Sequence, residues 1–327
     1  MSTAPIAPGD FPTSPLALRF ADPARQVKAR AFAVEQAKAA TEAAGLLARR
    51  WEAAPGRPAR VAALAAVHAH LVDWRYRLAV TMGPRPGTRI AFFPERFRTP
   101  IREGDTNYDR LGEVGRLREG AQWDQAAHAF TGGLATPAWE AMVRYGRLAE
   151  ERFATEGVEG DTLQNRVLLP DGRLVAGNRI LRGDAAHRTD AELTARYAAR
   201  GLNTSWMERG GNPVYTASPA PRDSAVLHSA ALDLLARPRL TTEDYLLARY
   251  LLFQAPQTKK GSDAVSRTFV VAVGAVVLPG AAPALPEDID LRCYVLGQCL
   301  ATCGSAGAGR SCDVHGAREA GGRAARG

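Results

Sequence analysis

A chain of 327 residues, 46% hydrophobic and 23% charged, has the apolar share of a packed globular protein and not of a disordered one. Its formal net charge of +8 suits anionic partners, from nucleic acid to small metabolites. The longest apolar run, Phe269 to Leu278, is half of a membrane span's ~20 residues, and no cysteine precedes Cys293, so neither a membrane helix nor a disulfide scaffold is expected and the chain is assigned to the cytoplasm.

The first residues lack a basic segment followed by an apolar run, so no secretory signal is expected. Pro5, Pro8, Pro12, Pro15 and Pro23 keep residues 1–23 from forming a helix, which predicts an extended, proline-rich arm. Ala, Glu, Gln, Lys and Arg dominate 24–54 and predict one or two amphipathic helices, stopped by Pro55-Gly56-Arg57-Pro58. Val61, Leu64, Val67, Leu71, Trp74 and Leu78, spaced by three or four, predict a helix over 59–81. Residues 83–122 read as a long irregular segment, basic through Arg85, Arg89, Arg96, Arg98 and Arg102 and anchored by Phe92, Phe93 and Phe97. Helices are expected again at 123–130 and at 137–155, the latter with Thr136 as N-cap and Pro137 in its first turn. Two alternating runs flank Pro170-Asp171-Gly172 and predict a β-hairpin over 163–181. Helices at 190–200, 223–236, 242–254 and 263–278 complete the pattern, with 201–222 as a loop and Ser262 or Asp263 capping the last helix. Residues 299–327, which carry three of the four cysteines and little large apolar text, are expected to be a disordered tail. The fold class is mainly α: one helical globular domain over 24–298 with a small β-hairpin (α+β), and a candidate sub-boundary near 156–162.

The loop before the last helix carries the clearest chemistry. Lys259, Lys260, Gly261 and Ser262 run into a helix N-terminus, whose free N–H groups and partial positive charge attract anions. Glycine admits a phosphate close to the backbone, the lysines supply charge, and Arg267 one turn on is a further candidate; the same text is also a solvated loop with a serine cap. The pattern is not a Walker A loop. At the hairpin exit, Arg179, Arg182 and Asp184 stand together, and Asp184 with Asp161 or Asp171 offers a magnesium or proton site, although Asp171 is equally the aspartate of an ordinary turn. His68 and His70 are two apart and share no helix face, and His128, His187 and His228 read as isolated. Cys299, Cys303, Cys312 and His315 match no common zinc spacing.

The order helix 242–254, loop PQTKKGSDAVSR, helix 263–278, with the hairpin 163–181 as a flap, resembles the Fic/Doc/AvrB (Fido) helical transferases. Against the Fic motif H-P-F-x-x-G-N-G-R the chain keeps Gly261 and a displaced Arg267; it has no histidine there, and Ser262, Asp263 and Ala264 stand at the N-G-R places. That resemblance implies an anion-binding loop at the start of a core helix, without histidine-dependent transfer of AMP. In length and in its arginine-bearing loops the chain also looks similar to the fosfomycin monophosphate kinase of actinomycete self-resistance to phosphonate antibiotics.

Together these readings predict a transferase that moves a phosphoryl or nucleotidyl group from ATP, with Mg²⁺, to a small anionic metabolite. Asp184 and Arg267 are the catalytic candidates and Asp184 the metal ligand; Lys259, Lys260, Gly261 and Ser262 would bind nucleotide, and Arg85, Arg89, Arg179 and Arg182 the substrate. The rival reading is a non-catalytic helical protein whose basic loops bind nucleic acid or a protein partner.

Overall fold

The structure, a computed structural model, describes residues 3–83, 92–278, 280 and 284–302. Text rich in alanine and long straight side chains forms α1 (Val27–Arg30), α2 (Phe32–Glu52) and α3 (Arg57–Met82). The proline-rich arm does not stay extended: 3₁₀ turns at Pro8–Asp10, Pro15–Ala17 and Pro23–Gln26 let it bury Phe11 and Leu18, and it bonds to the body where Ala4 N donates to Ala275 O. Helix α4 (Pro137–Thr155) starts as its sequence predicts, with the Thr136 hydroxyl accepting from the Trp139 N–H.

The expected hairpin is present as β4 (Thr162–Leu168) and β5 (Leu174–Leu181), but it is half of a larger antiparallel sheet. Strands β1 (Tyr108–Leu111) and β6 (Val214–Ala217), from stretches read as irregular, complete the order β1-β6-β5-β4. The segment read as a helix over 123–130 is a second hairpin, β2 (Gln122–Asp124) and β3 (Ala129–Thr131). There the Asp124 carboxylate accepts from the Ala126 and Ala127 N–H groups, closing a turn, and Trp123 packs edge-on against its cross-strand partner Phe130.

Period-2 alternation places Asp109, Thr216 and Ile180 on one face of the four-stranded sheet and Arg110, Tyr215 and Leu181 on the other. Helix α5 (Gly183–Ala198) begins seven residues earlier than expected and covers the second face with Ala185 and Ala186. The first face packs on α4 and on α9 (Ile289–Val295) through Tyr145, Phe153, Leu291 and Val295. Helices α6 (Pro221–Leu235) and α7 (Thr242–Gln254), the latter opened by a Thr241/Asp244 capping box, join α2 and α3 around α8 (Ser262–Val277). Residues Ala264 to Val276 of α8 are all buried, so this helix is the axis of the main core. Helix α10 (Gly297–Thr302) runs across the expected start of the tail at 299; the rest of that tail lies outside the described residues. Among the described residues no helix is long and apolar enough to cross a membrane.

Candidate functional site

Helix α8 is buried from Ala264 to Val276, and the loop 258–262 leads into its partly exposed N-terminal end. Gly261 adopts a left-handed conformation (φ 82°) and is itself the N-cap, with no side-chain cap on the first turn. This corrects the expected serine or aspartate cap: Ser262 is already helical, and its Oγ closes the loop by accepting from Thr258 N at 3.3 Å and lying 3.1 Å from Thr258 Oγ1. The loop is pinned to the segment after Phe97. Lys259 N donates to Thr99 O, Asn107 Nδ2 donates to Thr258 O, and Lys259 Nζ lies 2.9 Å from Asp105. Burial alone would raise the Asp105 pKa, but the hydrogen bonds from Lys259 and Arg102 N and the charges of Lys259 and Arg196 together hold it below the usual carboxylate value. Lys260 lies over the rings of Phe92 and Phe97 at 5.7 and 5.2 Å.

Behind the loop lies an acidic cluster. Arg267 is buried; its Nε donates to Asp263 Oδ1 at 2.8 Å and its Nη2 to Asp290 Oδ1 at 2.9 Å, with further bonds to Pro286 O and Glu287 O. Two carboxylates thus share one guanidinium. Asp109, on the sheet face that looks toward them, adds a third carboxylate, exposed and without a hydrogen-bond partner among the described residues. Crowding by protein raises the Asp109 pKa, the nearby Asp263 charge raises it further, and Arg116 opposes. Arg116 is itself bound to Glu208 at 3.0 Å. Burial and Asp263 likewise push Asp290 up against the pull of Arg267. Tyr294 sits in the same field: burial comes first, then the charges of Asp109, Asp290 and Asp263, and all raise its pKa. Three carboxylates, Asp109, Asp263 and Asp290, thus lie near the N-terminal end of the central helix, beside Lys259, Lys260 and Arg267. Among the described residues no three acidic, histidine or cysteine side chains form a metal cage by themselves.

The other predicted residues lie elsewhere. Arg85 and Arg89 fall outside the described residues. Arg179 is on the α5 face of the sheet, near enough to Tyr108 to lower its pKa against the larger effect of burial. Arg182 bonds to Glu150 (3.1 Å) and Val158 O, with its guanidinium 4.1 Å from the Phe153 ring. Asp184 opens α5, where its N–H donates to Asp161 Oδ2 at 2.8 Å. Asp161 directly precedes β4, the strand at the opposite sheet edge from β1, so Asp184 does not join the α8 cluster. Nor does it meet Asp171, which is bound to Arg173 at the far end of the hairpin, about 20 Å away at ~3.3 Å per strand residue.

Asp109 and Asp290 were missed because an aspartate in a four-residue strand, or in the first turn of a seven-residue helix, carries no signature in the sequence; Asp263 was seen only as a possible cap. His228 is not isolated either, since its ring stands 4.7 Å from that of His68. Comparison with known proteins gives no match to any family model and none to a curated sequence.

Proposed function

We propose that the chain is a cytoplasmic, magnesium-dependent transferase that moves a phosphoryl or nucleotidyl group from ATP to a small anionic metabolite, at the N-terminal end of α8. The observation that carries this reading is the Asp109–Asp263–Asp290 cluster, in which Asp263 and Asp290 share the buried Arg267 guanidinium and Asp109 lies near enough to Asp263 to feel its charge. Mg²⁺ is commonly held by one or two carboxylates together with substrate phosphates and water. Asp109, open and unpaired, and the second oxygen of Asp263 fit that demand; bound there, the cation would neutralise charge on the phosphates. Arg267 acts as a positioning residue that fixes Asp263 and Asp290, and the uncapped first turn of α8 offers N–H groups to an anion.

An anionic acceptor oxygen carries no proton at neutral pH, so the site needs no general base. In phosphoryl transfer the acceptor oxygen forms a bond to the γ-phosphorus as the bond to ADP breaks, and ADP leaves with the electron pair. Asp109 replaces Asp184 as the cation ligand in this reading, which is compatible with the helical transferases and phosphonate-resistance kinases that the sequence resembles.

A thermal-shift screen with ATP·Mg²⁺, GTP·Mg²⁺ and a DNA duplex tests the reading. A nucleotide at 100 times its Kd adds about 2.7 kcal/mol of stability. Stabilisation by the duplex alone would favour the nucleic-acid-binding alternative instead.

A further inference from the structure

The opposite face of the sheet carries a second feature. A pocket of about 340 Å³ opens between α5, the β2–β3 turn and the loop after Trp206, lined by His128, His187, Asp190, Arg209 and Gly210 among others. The volume lies at the low end of small-molecule sites.

Asp190 is 6% exposed, and its two oxygens differ. Oδ1 accepts from the Tyr215 hydroxyl and faces the Arg110 guanidinium at 3.9 Å, whereas Oδ2 is buried with no partner among the described residues. Arg209 touches His128 Nδ1 at 3.3 Å through Nη2, while its Nε is likewise buried without a partner. A buried polar atom left without a hydrogen bond is destabilising, and here an acceptor and a donor of opposite charge stand at one pocket. The pocket wall is also strained: His128 adopts φ 45°, a conformation glycine prefers, and is held there because its carbonyl accepts from both Arg209 N and Gly210 N. Arg110 fixes the same loop from below, donating to Glu208 O and Gly210 O at 2.6 Å each.

Each candidate ligand class meets this arrangement differently. Among the described residues no three acidic, histidine or cysteine side chains come together as metal ligands here. A simple anion would satisfy Arg209 but meet the Asp190 carboxylate, and a simple cation would meet the guanidinium. A molecule with both charges satisfies both. We propose that this pocket binds a small zwitterion of the amino-acid class, its ammonium on Asp190 and its anionic group on Arg209, with His187 one turn from Asp190 at the mouth. The site is on the other side of the sheet from the α8 cluster and does not depend on nucleotide binding.

Calorimetry on the full chain without nucleotide tests it with L-alanine, ethylamine and propionate, the last two being alanine stripped of one charge. L-alanine should bind at millimolar concentration, and each half-ligand about tenfold more weakly or worse, since a hydrogen bond to a charged group contributes roughly 1.5 kcal/mol or more. Asp190→Asn should weaken L-alanine and ethylamine but not propionate, which loses a repelling carboxylate, and Arg209→Gln should weaken L-alanine and propionate but not ethylamine, which loses a repelling guanidinium. If Asp190→Asn does not fold, Arg209→Gln and His187→Gln give the reading, the latter with L-alanine weakened. No heat from L-alanine, or equal binding by all variants, would overturn the proposal whatever the nucleotide experiments return.

Discussion

Gly261 and Gly172 both have positive φ, at 82° and 83°, yet they stand in different surroundings. A Cβ on Gly261 would lie 2.5 Å from Phe97 Cδ1, while one on Gly172 would meet nothing within 4 Å. Gly172→Val should therefore cost only backbone strain, about 1 kcal/mol, and Gly261→Val should cost about 3 kcal/mol or more, because ring and backbone must both give way. Urea melts of the two variants separate them; equal losses would mean that the loop 258–262 yields without moving Phe97. The turn at Gly172 was legible because Pro-Asp-Gly fixes its chemistry locally, whereas nothing near Gly261 in sequence announces Phe97. The same limit hid Asp109 and Asp190, whose importance comes from what the fold brings to them.

Helices and their starts were the most readable elements. Thr136-Pro137 and Thr241 with Asp244 satisfy N–H groups within four residues of themselves, so their signals are complete in the local text. Strands β1, β2, β3 and β6 have three or four residues each, too few for an alternating pattern, and β1 finds its partner at Tyr108↔Ala217, far along the chain. Helix packing adds a pH response that spacing alone did not suggest. His68 of α3 and His228 of α6 meet against Phe269 of α8; burial, with His228 adding its charge, lowers His68 to about 3, and burial lowers His228 to about 4. Between the folded values and the ordinary 6.5 the unfolded chain binds more protons, so stability falls as pH drops through that window and is fully present above it. His228→Leu should remove one of the two titrations and flatten the slope of melting temperature between pH 6.5 and 4. An unchanged slope would assign the acid sensitivity to other groups.

At the scale of the molecule, α8 joins stability to function: its length is core and its N-terminal end is the candidate site. Phe269→Ala, deep in that core, should cost about 4 kcal/mol in a denaturant melt without altering the loop chemistry. In the proposed function the Asp109–Asp263 pair beside that loop holds the cation of a bound nucleotide. Calorimetric titration of ATP, with and without Mg²⁺ at one salt concentration, into the wild-type chain and Asp109→Asn tests it most directly. Wild type should bind ATP with Mg²⁺ and much more weakly without it, and Asp109→Asn, folded and equally stable, should lose about tenfold or more of the Mg²⁺-dependent part. ATP binding that is undetectable in wild type, or identical in the two proteins, would contradict it.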